Sequence, residues 1–161
     1  MRLLVLADTH LRPGRRPLPP AALAALDDVD LVLHAGDVVT AAALDELCER
    51  ASVVAVLGNN DLELTGRLPT SRLLDVEGVR IGLVHDSGPR QGRPGRLRRR
   101  FPDADVVVFG HSHQPVDEEG LDGQRLFNPG SPTQARGQPH PTIGWLEVAD
   151  GRVVGHRIVP V

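Results

Sequence analysis

An α/β fold built on two sheets packed face to face is the expectation for these 161 residues, and three observations lead to it. Short apolar runs alternate with helix-type segments in the first half, a rhythm that builds a parallel sheet covered by helices. The second half changes to paired strand-type runs around Gly and Asp-Gly turns. Asp, Asn and His recur where the apolar runs stop, the edge at which open α/β sheets take up ligands.

Along the chain, a first strand is read at Arg2–Ala7, followed by an Arg/Pro/Gly-rich loop (Leu11–Pro20) and a helix at Ala21–Asp28. A second strand, Leu31–Leu33, runs into Gly36-Asp37, and Thr40 is a suitable N-cap for a helix at Ala41–Arg50. A third strand, Ser52–Leu57, stops at Gly58. Arg72–Glu77 and Val79–Val84 flank Gly78 as a hairpin, and Pro89–Arg100 is a polar, Arg-rich stretch with some helical character. Asp105–Phe109 is a buried strand. Val116–Glu119 and Gln124–Phe127 then flank an Asp-Gly turn, as do Thr142–Val148 and Arg152–Val159. The second sheet should therefore be largely antiparallel. One domain spanning 1–161 is expected, with no repeat or linker.

Composition narrows the function classes. Every one of the 18 basic residues is arginine, yet the net charge is −3, which argues against a protein that grips nucleic acid through bulk charge. With one Trp, three Phe and no Tyr, stacking platforms for single strands are not the main business either. The single Cys48 permits no intrachain disulfide and reads as a small buried filler in its helix. The apolar run Leu3–Ala7 is too short for a secretory signal, and nothing reaches the roughly 18 apolar residues of a membrane span. A cytoplasmic domain is expected.

Five motifs carry the chemistry: Asp8-Thr9-His10, Gly36-Asp37, Gly58-Asn59-Asn60-Asp61, His85 and Gly110-His111-Ser112-His113. In an extended segment residues i and i+2 point the same way, so Asp8 with His10, and His111 with His113, could each face one ion. Carboxylate plus imidazole suits divalent manganese, iron, cobalt, nickel or zinc. The glycines before Asp37, Asn59 and His111 would let the backbone turn sharply and leave room for a bulky substrate.

This set, in this order, resembles the calcineurin-like metallophosphoesterase superfamily, in particular its small single-domain bacterial and archaeal phosphodiesterases. The stretch Asn128-Pro129-Gly130-Ser131 before a C-terminal hairpin strengthens the likeness. The resemblance implies a four-layer sandwich of two mixed sheets flanked by helices. It also implies two divalent ions, manganese first among them. Asp8, His10 and His113 would bind one ion, Asn59, His85 and His111 the other, and Asp37 would bridge both. Asp37, Asn59 and His111 are the catalytic candidates. A water or hydroxide bridging ions about 3.5–4 Å apart would attack the phosphate, and no protein nucleophile is needed.

Around these, Asp61 is expected to orient the histidines, Asn128 to support the site by hydrogen bonds, and His34 to be structural. Asn60, Asp86 and Arg90 are the expected substrate contacts, with Arg93 beside them. The other arginines of Pro89–Arg100 are read as a solvated helix face. Two positions depart from the family pattern. Asn60 stands where many members carry a proton-donating His, and Ser87 stands where a second His commonly follows the one at His85. The expected function is metal-dependent phosphodiester hydrolysis of a small-molecule substrate. A phosphomonoesterase and a catalytically weak interaction scaffold of the same fold are the alternatives. Nucleic acid is expected only as a substrate, no membrane partner is expected, and homo-oligomerisation is left open.

Overall fold

In the computed structural model, residues 1–12, 14 and 17–161 are described; Pro13, Arg15 and Arg16 of the first expected loop lie outside them. The first sheet contains β1 (Arg2–Leu6), β2 (Leu31–His34) and β3 (Val53–Ala55), all parallel. Helix α1 (Pro20–Leu26) links β1 to β2, and α2 (Ala41–Arg50) links β2 to β3. The second sheet is formed by β4 (Ser71–Val76), β5 (Val79–Val84), β6 (Val106–Val108), β7 (Val116–Glu119) and β8 (Arg125–Asn128), in the order β4-β5-β6-β8-β7. Helix α3 (Arg93–Arg100) crosses between β5 and β6.

Period-two burial along β1 shows how the layers assemble. Leu3, Val5 and Ala7 enter the core between the sheets, with Leu33, Ile81, Leu83, Val106, Val108 and Phe127. Leu4 and Leu6 face the other way, against Leu26 of α1 and Leu47 of α2. A strand buried on both faces needs an unbroken apolar run, and Leu3–Leu6 supplies one. On the far side Val84, Val107 and Leu126 pack against Leu97 and Phe101 around α3. The result is four layers: helices, sheet, sheet, helix. Among the described residues no helix is long and apolar enough to cross a membrane.

Three expectations need correction. The second sheet is mixed rather than largely antiparallel: β4–β5 and β7–β8 are antiparallel, whereas β5–β6 and β6–β8 are parallel. The α3 crossover makes the β5–β6 pair parallel, as helical connections do. The final hairpin, β9 (Thr142–Ala149) and β10 (Arg152–Pro160), joins the first sheet instead, with β9 antiparallel to β1. A hairpin signal fixes local pairing but not which sheet the hairpin joins. Cys48 is exposed, not buried. Ala43, Leu44 and Leu47 form the buried stripe of α2, and Cys48 sits about a quarter-turn beyond its centre.

His34 closes β2 on the same side as Val32. It is fully enclosed, with Nε2 3.0 Å from Thr9 Oγ1 and no partner for Nδ1. Burial, seconded by the nearby His85, pushes its pKa down to about 3. The folded protein thus refuses a proton that the unfolded chain accepts below 6.5, so this group's stability is whole above that pH and is lost as pH falls toward about 3. In urea titrations of metal-free protein, His34→Gln should lose stability less steeply than wild type between pH 6.5 and 4; parallel curves would contradict the assignment. Phe127→Ala, by emptying a fully buried position between the sheets, should cost about 3–5 kcal/mol in the same titrations at pH 7.5.

Candidate metal centre

All the expected ligands lie just beyond the carboxyl ends of β1, β2, β3, β5 and β6. Backbone bonds between neighbouring loops set their spacing: Asp8 N–H donates to Gly36 O (3.0 Å), His10 N–H to Asp37 O (2.9 Å) and Gly110 N–H to His85 O (2.9 Å). These segments are not extended. Asp8, His10, Asp37, His111 and His113 all have φ between 44° and 69°, a left-handed conformation that costs a non-glycine residue energy and persists only where its surroundings enforce it. The sharp turns expected of the glycines are thus made largely by the ligand residues themselves. Gly58 serves close approach instead: a Cβ there would lie 2.2 Å from both Asp37 N and Asp37 Oδ1.

The side chains converge in two groups. In the first, Asp8, His10 and His113 bring their ligand atoms together within 4.8 Å. His10 Nε2 lies 3.4 Å from His113 Nε2, which lies 3.5 Å from Asp8 Oδ1. In the second, Asn59 Oδ1 is 3.0 Å from His85 Nε2 and 3.0 Å from His111 Nδ1, and those two nitrogens are 3.3 Å apart. His111 and His113 therefore part company, one to each group, because their left-handed backbone removes the strand alternation. Asp37 Oδ2 stands between the groups, 3.6 Å from both His10 Nε2 and His85 Nε2.

Tautomers follow from carbonyl acceptors. His85 Nδ1 faces Ala35 O at 2.7 Å and His113 Nδ1 faces Gln134 O at 2.8 Å. A carbonyl cannot donate, so both Nδ1 atoms carry a proton, which leaves Nε2 as the ring atom able to offer a lone pair to the cluster. Histidine orientation thus comes from backbone carbonyls and not, as expected, from Asp61. Among the described residues Asp61 hydrogen-bonds to no histidine. It accepts from Asp37 N–H (2.9 Å), Val39 N–H (2.6 Å) and Gly58 N–H (2.7 Å), so it ties the loops after β2 and β3 together.

The segment after β8 fastens the remaining loops. Asn128 Nδ2 donates to Gly110 O (3.0 Å) and Ser112 Oγ (3.2 Å). Ser131 Oγ donates to Asp8 O (2.7 Å) and Thr133 Oγ1 to Thr9 O (2.8 Å). Ser131, Thr133 and the carbonyls of Ala35 and Gln134 were not anticipated. Ser131 was visible within Asn-Pro-Gly-Ser, whereas a carbonyl carries no residue-type signal. Asn60 donates to Asp37 through its backbone N–H (2.9 Å) and its side-chain amide (2.6 Å). Asp86 is exposed and accepts from Gly88 N–H (2.6 Å), capping a turn. Neither Asp86 nor Arg90 hydrogen-bonds to the cluster among the described residues.

Electrostatics indicate what the cluster is for. Asp8 is fully enclosed, and neither carboxylate oxygen has a hydrogen-bond partner of good geometry, although the backbone N–H of His111 opposes part of the resulting shift. Burial first, and the charge of Asp37 second, push its pKa up to about 8. Burial also drives His113 down to about 4 and His10 below its ordinary range. Burial works against ionisation of Asp37 too, but the two Asn60 donors and the nearby His85 and His10 outweigh it and hold that carboxyl low. The Arg136 charge acts on Asp8, His10 and His113, and Arg12 acts on His10. The Asp8 carboxyl, raised toward its protonated form, and the imidazole nitrogens beside it make a donor set from which a cation would displace protons. A cation fits such a donor set, and mixed carboxylate–imidazole ligation suits first-row divalent metals.

Known proteins agree with this reading. The calcineurin-like phosphoesterase superfamily domain matches residues 1–151. A probable metallophosphoesterase of Methanothermobacter thermautotrophicus is 40% identical over 161 residues, spanning 99% of this chain and 92% of that protein. The solution structure of a Thermotoga maritima protein is 32% identical, superposes with a TM-score of 0.77 and covers 99% of both chains. Wild-type Vps29 of Entamoeba histolytica, complexed with zinc, is 25% identical with a TM-score of 0.79, covering 100% of this chain and 98% of that one. With the family domain running from the first strand into the last hairpin, and a metallophosphoesterase alike over almost its full length, the chain belongs to the calcineurin-like phosphoesterase superfamily.

Proposed function

We propose that this protein is a two-metal phosphodiesterase acting on a small-molecule phosphate ester. Asp8, His10 and His113 would hold one divalent ion and Asn59, His85 and His111 the other, with Asp37 shared between them. The position of Asp37 carries the proposal, because one carboxylate oxygen lies 3.6 Å from a histidine of each group. When bound, the two ions would supply an activated water and neutralise the phosphoryl oxygens. Manganese is the first choice, with nickel, iron, cobalt or zinc as alternatives; the zinc complex of a neighbour 25% identical supports a site of this chemistry.

The protein's own share is positioning. Ala35 O and Gln134 O fix the lone pairs of His85 and His113, and Asp61 and Ser131 lock the loops that bear Asp37 and Asp8. Asp8 and Asp37 bring only two negative charges, fewer than two divalent cations require, so the pocket keeps a positive surplus for phosphate. Asn60 cannot deliver a proton, because an amide does not titrate usefully. Its role is to hold Asp37, and the reaction then favours esters whose leaving group departs without protonation.

No arginine side chain hydrogen-bonds into the cluster among the described residues, which favours a diester monoanion over a monoester dianion. The charge that Arg136 exerts on Asp8, His10 and His113 is the observation on the side of a phosphomonoesterase. An interaction scaffold has no use for seven converging ligand-type side chains. A reducing, cytoplasmic location is part of the proposal and is compatible with the free Cys48.

Bis(p-nitrophenyl) phosphate and p-nitrophenyl phosphate, offered to metal-stripped protein reloaded with manganese, nickel or zinc, test the reading. Diester turnover should return with metal and exceed monoester turnover, and Asp37→Ala should lower it about a hundredfold or more. Two bound ions with no turnover of either ester would sink the proposal. Asp8→Asn should act on stability in the opposite direction. A carboxyl whose folded pKa is raised from 3.8 to about 8 makes metal-free protein lose stability as pH climbs through that window. Without metal, thermal unfolding at pH 8.5 should therefore come at a higher temperature for Asp8→Asn than for wild type. Saturating metal should raise the wild-type midpoint by more than the variant's, which keeps the Asn59, His85 and His111 group.

A further inference from the structure

Beside the metal centre, α3 and β7 enclose a cleft of about 260 Å³ lined by Arg90, Arg93, Gln114, Val116, Asp117 and Glu118. It adjoins the site through the chain: Gln114 follows His113, and its N–H donates to Ser112 Oγ at 3.3 Å. Arg93 is unusual among the arginines here. It is only 8% exposed, its guanidinium lies 5.0 Å above the Phe109 ring, and its buried Nε has no hydrogen-bond partner. Among the described residues Arg93 makes no salt bridge, and neither does Arg90.

Arg96 and Arg98, which follow on the same helix, are occupied. Arg96 donates to Ser87 O (2.8 Å) and to Pro89 O, and Arg98 pairs with Asp122 at 3.2 Å. Of the two carboxylates in the cleft, Asp117 is engaged by Arg125 (2.8 Å) and His156 (2.6 Å). The charges of Glu118 and Asp86 act on Arg93, but neither carboxylate makes a salt bridge to it among the described residues. A charged group is almost never buried without a partner, and a guanidinium presents a fork that matches an oxyanion.

We propose that this cleft binds an oxyanion, a phosphate or carboxylate group that the substrate carries beyond the ester under attack. The proposal rests on the phosphodiesterase reading for its substrate but not for the cleft itself. It assigns the protein to substrates with a second anionic group, and it makes Arg93 and Arg90 specificity residues.

Two measurements test it. The first is titration of 15N-labelled, EDTA-treated protein with inorganic phosphate, where the metal-free cluster offers that anion nothing. Amide shifts should gather at Arg90–Arg93 and Gln114–Glu118, with affinity falling about tenfold or more in Arg93→Met. Arg93→Met keeps a stem over Phe109, and the exposed Arg90→Gln serves as a second variant should the first fold poorly. Shifts that are absent, scattered or indifferent to both variants overturn the cleft as an anion site.

The second compares kcat/KM of metal-loaded enzyme for thymidine 5′-(p-nitrophenyl phosphate) and its 3′-phosphorylated counterpart, probes chosen for their charge alone. The added phosphate should raise kcat/KM about tenfold in wild type, and the preference should collapse in both variants. Localised phosphate binding without that preference overturns the assignment to substrate and leaves free phosphate as the occupant. Localised binding in a protein that turns over neither ester defeats the phosphodiesterase reading while the cleft stands.

Discussion

Asp8 sits at the bottom of the candidate metal centre as a carboxyl group removed from water and given no hydrogen bond of good geometry. Neutralising a buried acid is the ordinary remedy, and burial does push its pKa up to about 8. Yet the groups around it, His10, His113 and Asp37, are arranged so that none supplies a proton to it. The His113 proton is committed to Gln134 O on the far side of the ring. Such an arrangement is unstable on its own terms and becomes favourable once a cation occupies the point that these lone pairs face. The surrounding construction can be understood as what keeps Asp8 there.

Keeping it there takes the combined force of two sheets. β1 is anchored in both cores, with Leu3 and Val5 on one face and Leu4 and Leu6 on the other, so its end cannot drift. The left-handed backbone at Asp8 is then pinned from outside the strand by Ser131 and Thr133, which hold the carbonyls of Asp8 and Thr9 from the segment following β8 in the other sheet. Asp61 does the same for the loops bearing Asp37 and Gly58. Each fastening joins elements distant in sequence. Local propensity disfavours five of the seven candidate ligand conformations, and tertiary hydrogen bonds override it.

This explains what could and could not be read from the sequence. The strands were legible because a strand buried on both faces must be an apolar run, and the ligand-type residues were legible because they interrupt those runs. That β9 and β10 join the first sheet was not legible, since Asp150-Gly151 specifies a hairpin and nothing about its destination. The i, i+2 argument for Asp8 with His10 and for His111 with His113 assumed extended backbone. With φ between 44° and 69° at these residues, alternation fails, and His111 goes to the Asn59 group. The orienting carbonyls of Ala35 and Gln134 leave no trace in residue type. Asp61 was conspicuous as an acid, but its partners are backbone N–H groups that only a folded chain brings to it.

Asn60 bears on how the proposed chemistry must be divided. Its amide is spent on Asp37, at 2.6 Å from the carboxylate, so even a titratable residue in the same pose would be turned from a leaving group. On the proposed reading, rate then depends on how well the phosphoryl group is held, and selectivity on what lies beyond it. The positive groups around the centre are distributed accordingly. Arg12 and Arg136 act electrostatically on the Asp8, His10 and His113 side, while Arg90 and Arg93 line the cleft next to Gln114. A centre that cannot protonate its leaving group gains most from substrates whose own charge carries them into register. An unpaired, buried guanidinium one cleft away offers a physical means of selecting them.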